Sequence, residues 1–366
     1  MSEVNWEYII KMIRSDKCVL LLGPEIPVTK QGEPLHQALE SYLGVQTDPD
    51  ILYFNDDEFF LFKDETAKFP TYLNIQKFYT QSEIPPIYEQ IAQLPLHLII
   101  SLSPDLMLRQ VYEQYGLPFD FDYYRKYENP SPVKRPTEEK PLIYNLFGSV
   151  EDDESLIFTH DDMFDFLFKI SNSFQLPDNI RNELRKAKNF ILLGFKFEKW
   201  YVKLILRLFE LHSGRFLRYA PKGITMLEPE TKEWYEHLFK INFIEDKVPE
   251  FVQELYGRCE QEGMLKKLGE KRENISFAEK LRSQIQNDQL EEAIEELDDY
   301  LSQKGEKDLL DDLTLASRSH RRVQRKLKNR TVNDSDAEVK LNQIVSSLLA
   351  IVDEVKELEE PNNATG

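Results

Sequence analysis

Four turns in this chain carry side chains suited to chemistry, and each closes a short apolar run. Gly23-Pro24-Glu25 follows residues 19–22, and Ser103-Pro104-Asp105 follows residues 98–100. Phe147-Gly148-Ser149 ends the run at residues 142–146, and Gly194-Phe195-Lys196 follows residues 190–193. Glu25 has the chemistry of a general base, Asp105 that of a negative charge beside a developing cation, and Ser103 that of a hydroxyl holding a water. Lys196, with Lys199 behind it, has the chemistry of an anion holder, or equally of a solvated loop lysine. Apolar runs of this length read as fully buried parallel strands. The carboxyl ends of such strands line the ligand crevice of an open sheet.

The elements between these turns alternate helix and strand, as an α/β domain requires. Trp6, Ile9, Ile10 and Ile13 mark an amphipathic helix, and residues 34–42 a second that starts at Pro34. Residues 51–83, rich in aromatics and acids, read as helices packed on the sheet. Pro85-Pro86 starts another helix, and His97 enters the second strand. Residues 118–140 read as a long loop, because Pro, charge and Tyr replace any periodic apolar pattern. Residues 216–219 and 241–244 read as late strands, separated by a helix holding Trp234, Leu238 and Phe239. The composition shifts near Gly257, and residues 257–275, charged and poor in large apolar side chains, read as a linker. Beyond it Leu290, Ile294, Leu297 and Leu301 recur at helical spacing, then Leu309, Leu310, Leu313, Val323 and Leu327, then Leu341, Val345, Leu348, Val352 and Val355. Three or four such helices bury their stripes against one another as a bundle. Gly305 fits a helix stop, Asp334 or Ser335 a helix N-cap, and the tail after Glu360 reads as disordered.

Composition narrows the class. At 366 residues the chain has the length of two domains. A hydrophobic fraction of 41% suffices for a sizeable core, and no apolar run approaches the ~20 residues that span a bilayer. The N-terminus lacks a signal-peptide pattern, so a cytoplasmic location is expected. The only cysteines, Cys18 and Cys259, imply neither a disulfide framework nor a zinc site, and no metal is expected. The net charge of −19 argues against nucleic-acid or membrane-surface binding by the whole chain.

In order and spacing the four turns together resemble the divergent bacterial branch of the sirtuin-like, NAD-consuming domains, over roughly residues 1–255. The resemblance implies a Rossmann-like open parallel sheet with helices on both faces in residues 1–256. A linker at 257–275, a separate all-α bundle at 276–360 and a disordered tail at 361–366 complete the expected organisation. It implies NAD or an ADP-ribose-like molecule as the crevice ligand, held by Gly23, Pro24, Glu25, Ser103, Asp105, Phe147, Gly148, Ser149, Gly194 and Lys196. The chain departs from the family at three of these places. Where the family has a Gly-Ala-Gly phosphate turn, Pro24 supplies no N–H and Glu25 brings a charge that repels phosphate. Where the family has an asparagine near the ribose, Ser103 stands, and only Asp105 survives. Where the family has a histidine as general base, Phe147 cannot take a proton. The expectation is therefore a pseudoenzyme without catalytic residues. The alternative is an active NAD hydrolase that depletes cellular NAD through Glu25, Ser103 and Asp105.

Residues 285–356 resemble the helical effector-associated domains of bacterial conflict systems, small adapters that recruit a partner carrying a like domain. The two resemblances imply a component of an antiviral defence system, a scaffold or nucleotide-binding module coupled through its adapter to a protein partner. Such proteins also form homo-oligomers, and the competing account of the helices is a dimerising bundle. Arg318, Arg321, Arg322 and Arg325 share one helix face, within a basic run that reaches Arg330. The acidic helices before it offer a nearer counterpart than phosphates do. In Thr159-His160-Asp161-Asp162 the metal-binding reading fails on geometry, because adjacent residues at a helix start point apart. A Thr-x-x-Asp cap, as in the sirtuin-like family, accounts for it.

Overall fold

The computed structural model describes residues 4–63, 65–128, 130, 132–173, 176–212, 216–224, 227–271, 277–286, 290–328 and 334–359. The four apolar runs become β1 (Cys18–Leu22), β4 (Leu98–Ser101), β6 (Leu142–Asn145) and β7 (Asn189–Leu193), every residue buried. With β5 (Asp120–Tyr123), β8 (Leu217–Lys222) and β9 (Ile241–Lys247) they form a seven-stranded sheet in the order β5-β6-β4-β1-β7-β8-β9. All neighbours pair in parallel. Setting aside edge strand β5, this is the doubly wound Rossmann order, with the reversal between β1 and β7.

Because side chains alternate across a strand, the two faces of the sheet make two cores. Leu20, Leu22, Ile99 and Ile143 pack with Ile9, Leu35, Ile91, Val111 and Phe251. Those partners come from α1 (Trp6–Ile13), α2 (Leu35–Leu43), α4 (Ile87–Gln93), α5 (Met107–Gln114) and α10 (Val248–Gln261). Val19, Leu21, Leu98 and Ile100 pack on the other side with Phe166, Ile180, Ile205 and Tyr235. These belong to α6 (His160–Ser173), α7 (Asp178–Lys186), α8 (Trp200–Leu208) and α9 (Pro229–Leu238). The fold is the expected open parallel sheet with helices on both faces.

Three stretches differ from expectation. Residues 51–62 are an antiparallel hairpin, β2 (Ile51–Phe54) and β3 (Phe59–Phe62), ahead of α3 (Glu65–Gln81). Its two apolar tetrads flank Asn-Asp-Asp-Glu, a turn sequence whose last residue, Glu58, takes a positive φ of 62°. Within residues 118–140, β5 adds an edge strand. Its Asp-Phe-Asp-Tyr pattern suits a strand paired on one side only, and Asp122 is neutralised by Arg125 at 2.7 Å. Finally, residues 257–271 are not a linker. Helix α10 continues to Gln261, Met264, Leu265 and Leu268 pack on the core, and Lys266 Nζ donates to Leu94 O at 3.1 Å. Burial pushes the Lys266 ammonium down to about 8. A few apolar contacts and a half-buried lysine whose ammonium donates to backbone carbonyls hold this charged segment, so its composition misleads. The first compact unit ends at Lys271 and the second begins at Arg272.

The second unit is all helical: α11 (Phe277–Gln286), α12 (Leu290–Lys304), α13 (Lys307–Lys328) and α14 (Asp334–Glu359). Helix α11 packs on α12 and α14, and α13 packs on α12 and α14, closing a four-helix ring. Leu281, Ala293, Leu297, Leu301, Leu348, Val352 and Val355 fill its core. Gly305 ends α12 at φ 74°, with Glu306 N–H donating to Leu301 O at 3.1 Å, a Schellman stop. The Leu327, Asp334 and Ser335 side chains and the tail lie outside the described residues. Among the described residues no helix is long and apolar enough to cross a membrane.

Candidate functional site

At the switch point the turns after β1 and β7 meet backbone to backbone. Gly23 N–H donates to Leu193 O at 2.7 Å, Glu25 N–H to Gly194 O at 3.2 Å and Ile26 N–H to Gly23 O at 3.3 Å. A Cβ on Gly23 would lie 2.2 Å from Gly194 O, so only glycine permits the approach. Gly194 itself stands at φ 65°. The amides that a phosphate cradle aims at its ligand are here bonded to the end of β7, to its turn or within their own turn, and Pro24 adds none. Glu25 is buried, and its Oε2 accepts the Ile224 N–H at 2.8 Å, bracing the turn after β8.

The other two turns are also closed on themselves. Ser103 N–H donates to Ser101 Oγ at 3.1 Å, and Ser101 Oγ–H to Ser103 O at 3.2 Å. Asp105 Oδ1 accepts the Met107 N–H at 2.9 Å at the start of α5, while Asn145 Nδ2–H donates to Asp105 O at 2.8 Å. Burial raises the Asp105 carboxyl above its ordinary range, which weakens it as a standing negative charge. Phe147 lies edge-on to Phe166 (centroids 5.7 Å, 87°) and to Tyr201 (6.0 Å, 69°). Its ring is a wall of an aromatic cluster that Phe59 joins through Tyr201 at 5.5 Å. Gly148 takes φ 85°, and buried Ser149 donates its N–H to Ser155 Oγ at 2.9 Å. The structure thus brings the ten candidate residues to one end of the sheet, each engaged with the chain itself.

Lys196 and Lys199 are both buried, with relative exposures of 2% and 6%. Lys196 Nζ contacts Glu58 Oε1, Lys199 Nζ lies 3.4 Å from the same oxygen, and Lys199 Nζ also donates to Asp56 O at 2.5 Å. His36 Nε2 lies 3.3 Å from Glu58 Oε2 without the alignment of a hydrogen bond, and His36 Nδ1 is 3.0 Å from Pro24 O. Burial alone would raise the Glu58 carboxyl, but His36 and Lys196 outweigh it and hold it at about 2. Glu58 and His36 escaped the sequence reading. Two apolar tetrads around a polar turn sequence were the signal for the element; nothing local pointed to a partner 138 residues away.

A depressed carboxyl contributes stability that is complete above its unfolded value of 4.5 and is lost as pH falls through about 2. The expected result is acid loosening of the hairpin between those values, with a contribution on the order of 2–3 kcal/mol at neutral pH. Hydrogen exchange of residues 51–62 at pH 5 and pH 2.5, corrected for intrinsic rates, checks it. Equal protection at both would refute it.

The capping reading of Thr159 and Asp162 holds. Asp162 N–H donates to Thr159 Oγ1 at 3.0 Å, and Asp162 Oδ2 accepts from Thr159 N–H at 3.1 Å and Phe158 N–H at 3.2 Å. The other carboxylate oxygen takes the buried Lys126 ammonium at 2.6 Å. His160 reaches Asp57 instead, at 2.9 Å. Among the described residues no group of three or more His, Cys, Asp or Glu is placed to hold a metal ion. On α13, Arg318, Arg321 and Arg322 are exposed. The Arg325, Lys326, Lys328 and Arg330 side chains lie outside the described residues.

Residues 97–245 match the family described as SIR2-like domain, and residues 276–356 match Effector-associated domain 11. The first match begins after the β1 turn and the hairpin. No curated protein matches the chain. Among solved structures the chain is similar to "Structure of Sir2Tm bound to a propionylated peptide", at 12% identity and a TM-score of 0.34, covering 71% of this chain and 100% of that one. The stretch similar to SIR2-like domains thus takes in β4 to β8 and most of β9, and the stretch similar to effector-associated domains takes in α11, α12, α13 and most of α14 of the second unit.

Proposed function

We propose that this protein is a cytoplasmic component of a bacterial antiviral or conflict system. Its SIR2-like domain serves as a scaffold or binds an NAD- or ADP-ribose-like ligand without turning it over. Its effector-associated bundle couples it to a protein partner carrying a like domain. The pairing of the two families supports the conflict-system reading. One observation carries the loss of turnover: the crevice amides and both lysines are bonded within the chain, and Phe147 is locked in an aromatic cluster where the resemblance places a base. Glycosidic cleavage through an oxocarbenium-like state needs a positioned water and nearby negative charge, and general-base help is typically worth about 10²–10⁴ in rate. Ser103 spends its amide and carbonyl on its own turn, and burial disfavours the charged form of Asp105.

The test is proton NMR of NAD mixed with full-length protein at near-equal concentrations, followed over hours. No nicotinamide is expected. Broadened NAD signals mark a ligand-binding module and sharp ones a scaffold. Nicotinamide at enzyme-like rates would replace this reading with that of an NAD hydrolase acting through Ser103, Asp105 or Glu25.

A further inference from the structure

We propose that the β2–β3 hairpin is a built-in competitor, its Glu58 carboxylate occupying a subsite that Lys196, Lys199 and His36 form for the phosphate or pyrophosphate group of a ligand. The proposal rests on the ligand-binding form of the reading above and adds the ligand's anionic group and the gate that controls it.

Three basic side chains from separate elements converge on one carboxylate. His36 sits in the first turn of α2, Lys196 in the turn after β7 and Lys199 at the N-cap of α8. Two ammoniums this deeply buried require a counter-anion, because an unpaired charge out of water is costly. The donors that suit a carboxylate also suit a phosphate oxygen. The cluster lies at the carboxyl end of β7, beside the reversal in strand order where doubly wound sheets take their ligands. Lys196 and Lys199 thus supply anion-holding groups in a crevice whose turn amides are already taken.

The anion now in place is delivered by a ribbon that is no part of the main sheet. The hairpin is a separate two-stranded sheet, and such a ribbon is marginal on its own. Its outer side chains Leu52, Phe54 and Leu61 are exposed at 59%, 43% and 47%. It is tied down by Phe59 and Phe60, by Phe60 N–H donating to Phe158 O at 2.7 Å, by Asp57 on His160 and by Glu58 itself. Glu58 adopts φ 62°, a conformation that residues with side chains rarely take, so the turn is bent to present this carboxylate. One further acid bears on the same lysines, and a second bears on that acid. Glu198 lies within electrostatic reach of both, and Glu25 is close to Glu198. A bound phosphate group would displace Glu58 and leave those two in place.

The experiment is calorimetric titration of the full chain with ADP-ribose and, separately, with inorganic pyrophosphate. Wild type, Glu58→Gln and Glu58→Gln/Lys196→Met are compared. Glu58→Gln is expected to bind ADP-ribose at least about tenfold tighter than wild type, as removing one fixed competing charge at a buried site allows, and the second substitution should abolish the gain. A gain with both probes identifies a site for any pyrophosphate group, and a gain with ADP-ribose alone a nucleotide site; either supports the gate. Glu58→Gln binding neither probe more tightly overturns it. If Glu58→Gln does not fold, hydrogen exchange of wild-type residues 51–62 decides: faster exchange with millimolar ADP-ribose supports displacement, and unchanged exchange overturns it. Nicotinamide release from NAD is read in parallel. Turnover would sink the no-turnover reading and leave the gate standing, while wild-type binding without a gain in Glu58→Gln would sink the gate alone.

Discussion

Gly23→Ala is expected to destabilise the sheet domain by about 3 kcal/mol or more, at the severe end for a single substitution. The new methyl would sit 2.2 Å from Gly194 O, 2.6 Å from Gly194 C and 2.8 Å from Phe195 Cα. All three are backbone atoms, so no rotamer change relieves the clash. Separating the turns instead would break the Gly23 N–H bond to Leu193 O and the Glu25 N–H bond to Gly194 O. Each broken bond strands a buried donor at about 1–3 kcal/mol. Gly257→Ala is the matched control. It lies in α10 with nothing within 4 Å of its added Cβ, and a gain of up to ~1 kcal/mol is expected there. Urea midpoints of the three proteins decide it. A Gly23→Ala midpoint equal to wild type would mean the turns are not packed in solution, and the amides would be free for a ligand after all.

Asp162→Ala is expected to cost about 3–5 kcal/mol, because it breaks a buried ion pair from one side. Lys126 is 6% exposed, and Asp162 is its carboxylate at 2.6 Å. Burial already pushes the Lys126 ammonium below its ordinary value against the pull of Asp162. Without that acid the lysine must lose its proton or open the structure to water. The same substitution leaves the Phe158 and Thr159 amides without their acceptor at the start of α6. That helix carries Phe166, which holds the Phe147 ring, so loosening should reach the crevice wall. Asp162→Asn keeps one acceptor oxygen and should fall between the two. Thermal unfolding checks the order; an alanine variant within about 1 kcal/mol of wild type would show that Lys126 finds water or another acid.

Buried strands and helix boundaries were legible because their causes are local. Continuous apolar runs wrote β1, β4, β6 and β7, Thr159 and Asp162 wrote the cap of α6, and Gly305 wrote the end of α12. Where local composition stood for context, it misled. The hairpin at 51–62 was masked by an aromatic-rich stretch that suits either helix or strand. The charged segment after Gly257 gave no sign that the Lys266 ammonium would bond the Leu94 carbonyl and the Tyr112 hydroxyl.

By itself the sequence determined the class of fold, the end of the sheet where the four turns gather, and the absence of a protonatable group at Phe147, since side-chain chemistry does not depend on folding. It also determined that a helical bundle follows the sheet domain, because its stripes repeat at helical spacing. Only the tertiary structure decided what occupies the crevice. Glu58 meets Lys196 across 138 residues, and Gly23 meets Gly194 across the switch point, through the β1–β7 pairing. Such meetings are set by strand order and by the burial of charge, quantities of the whole domain that no window of sequence contains.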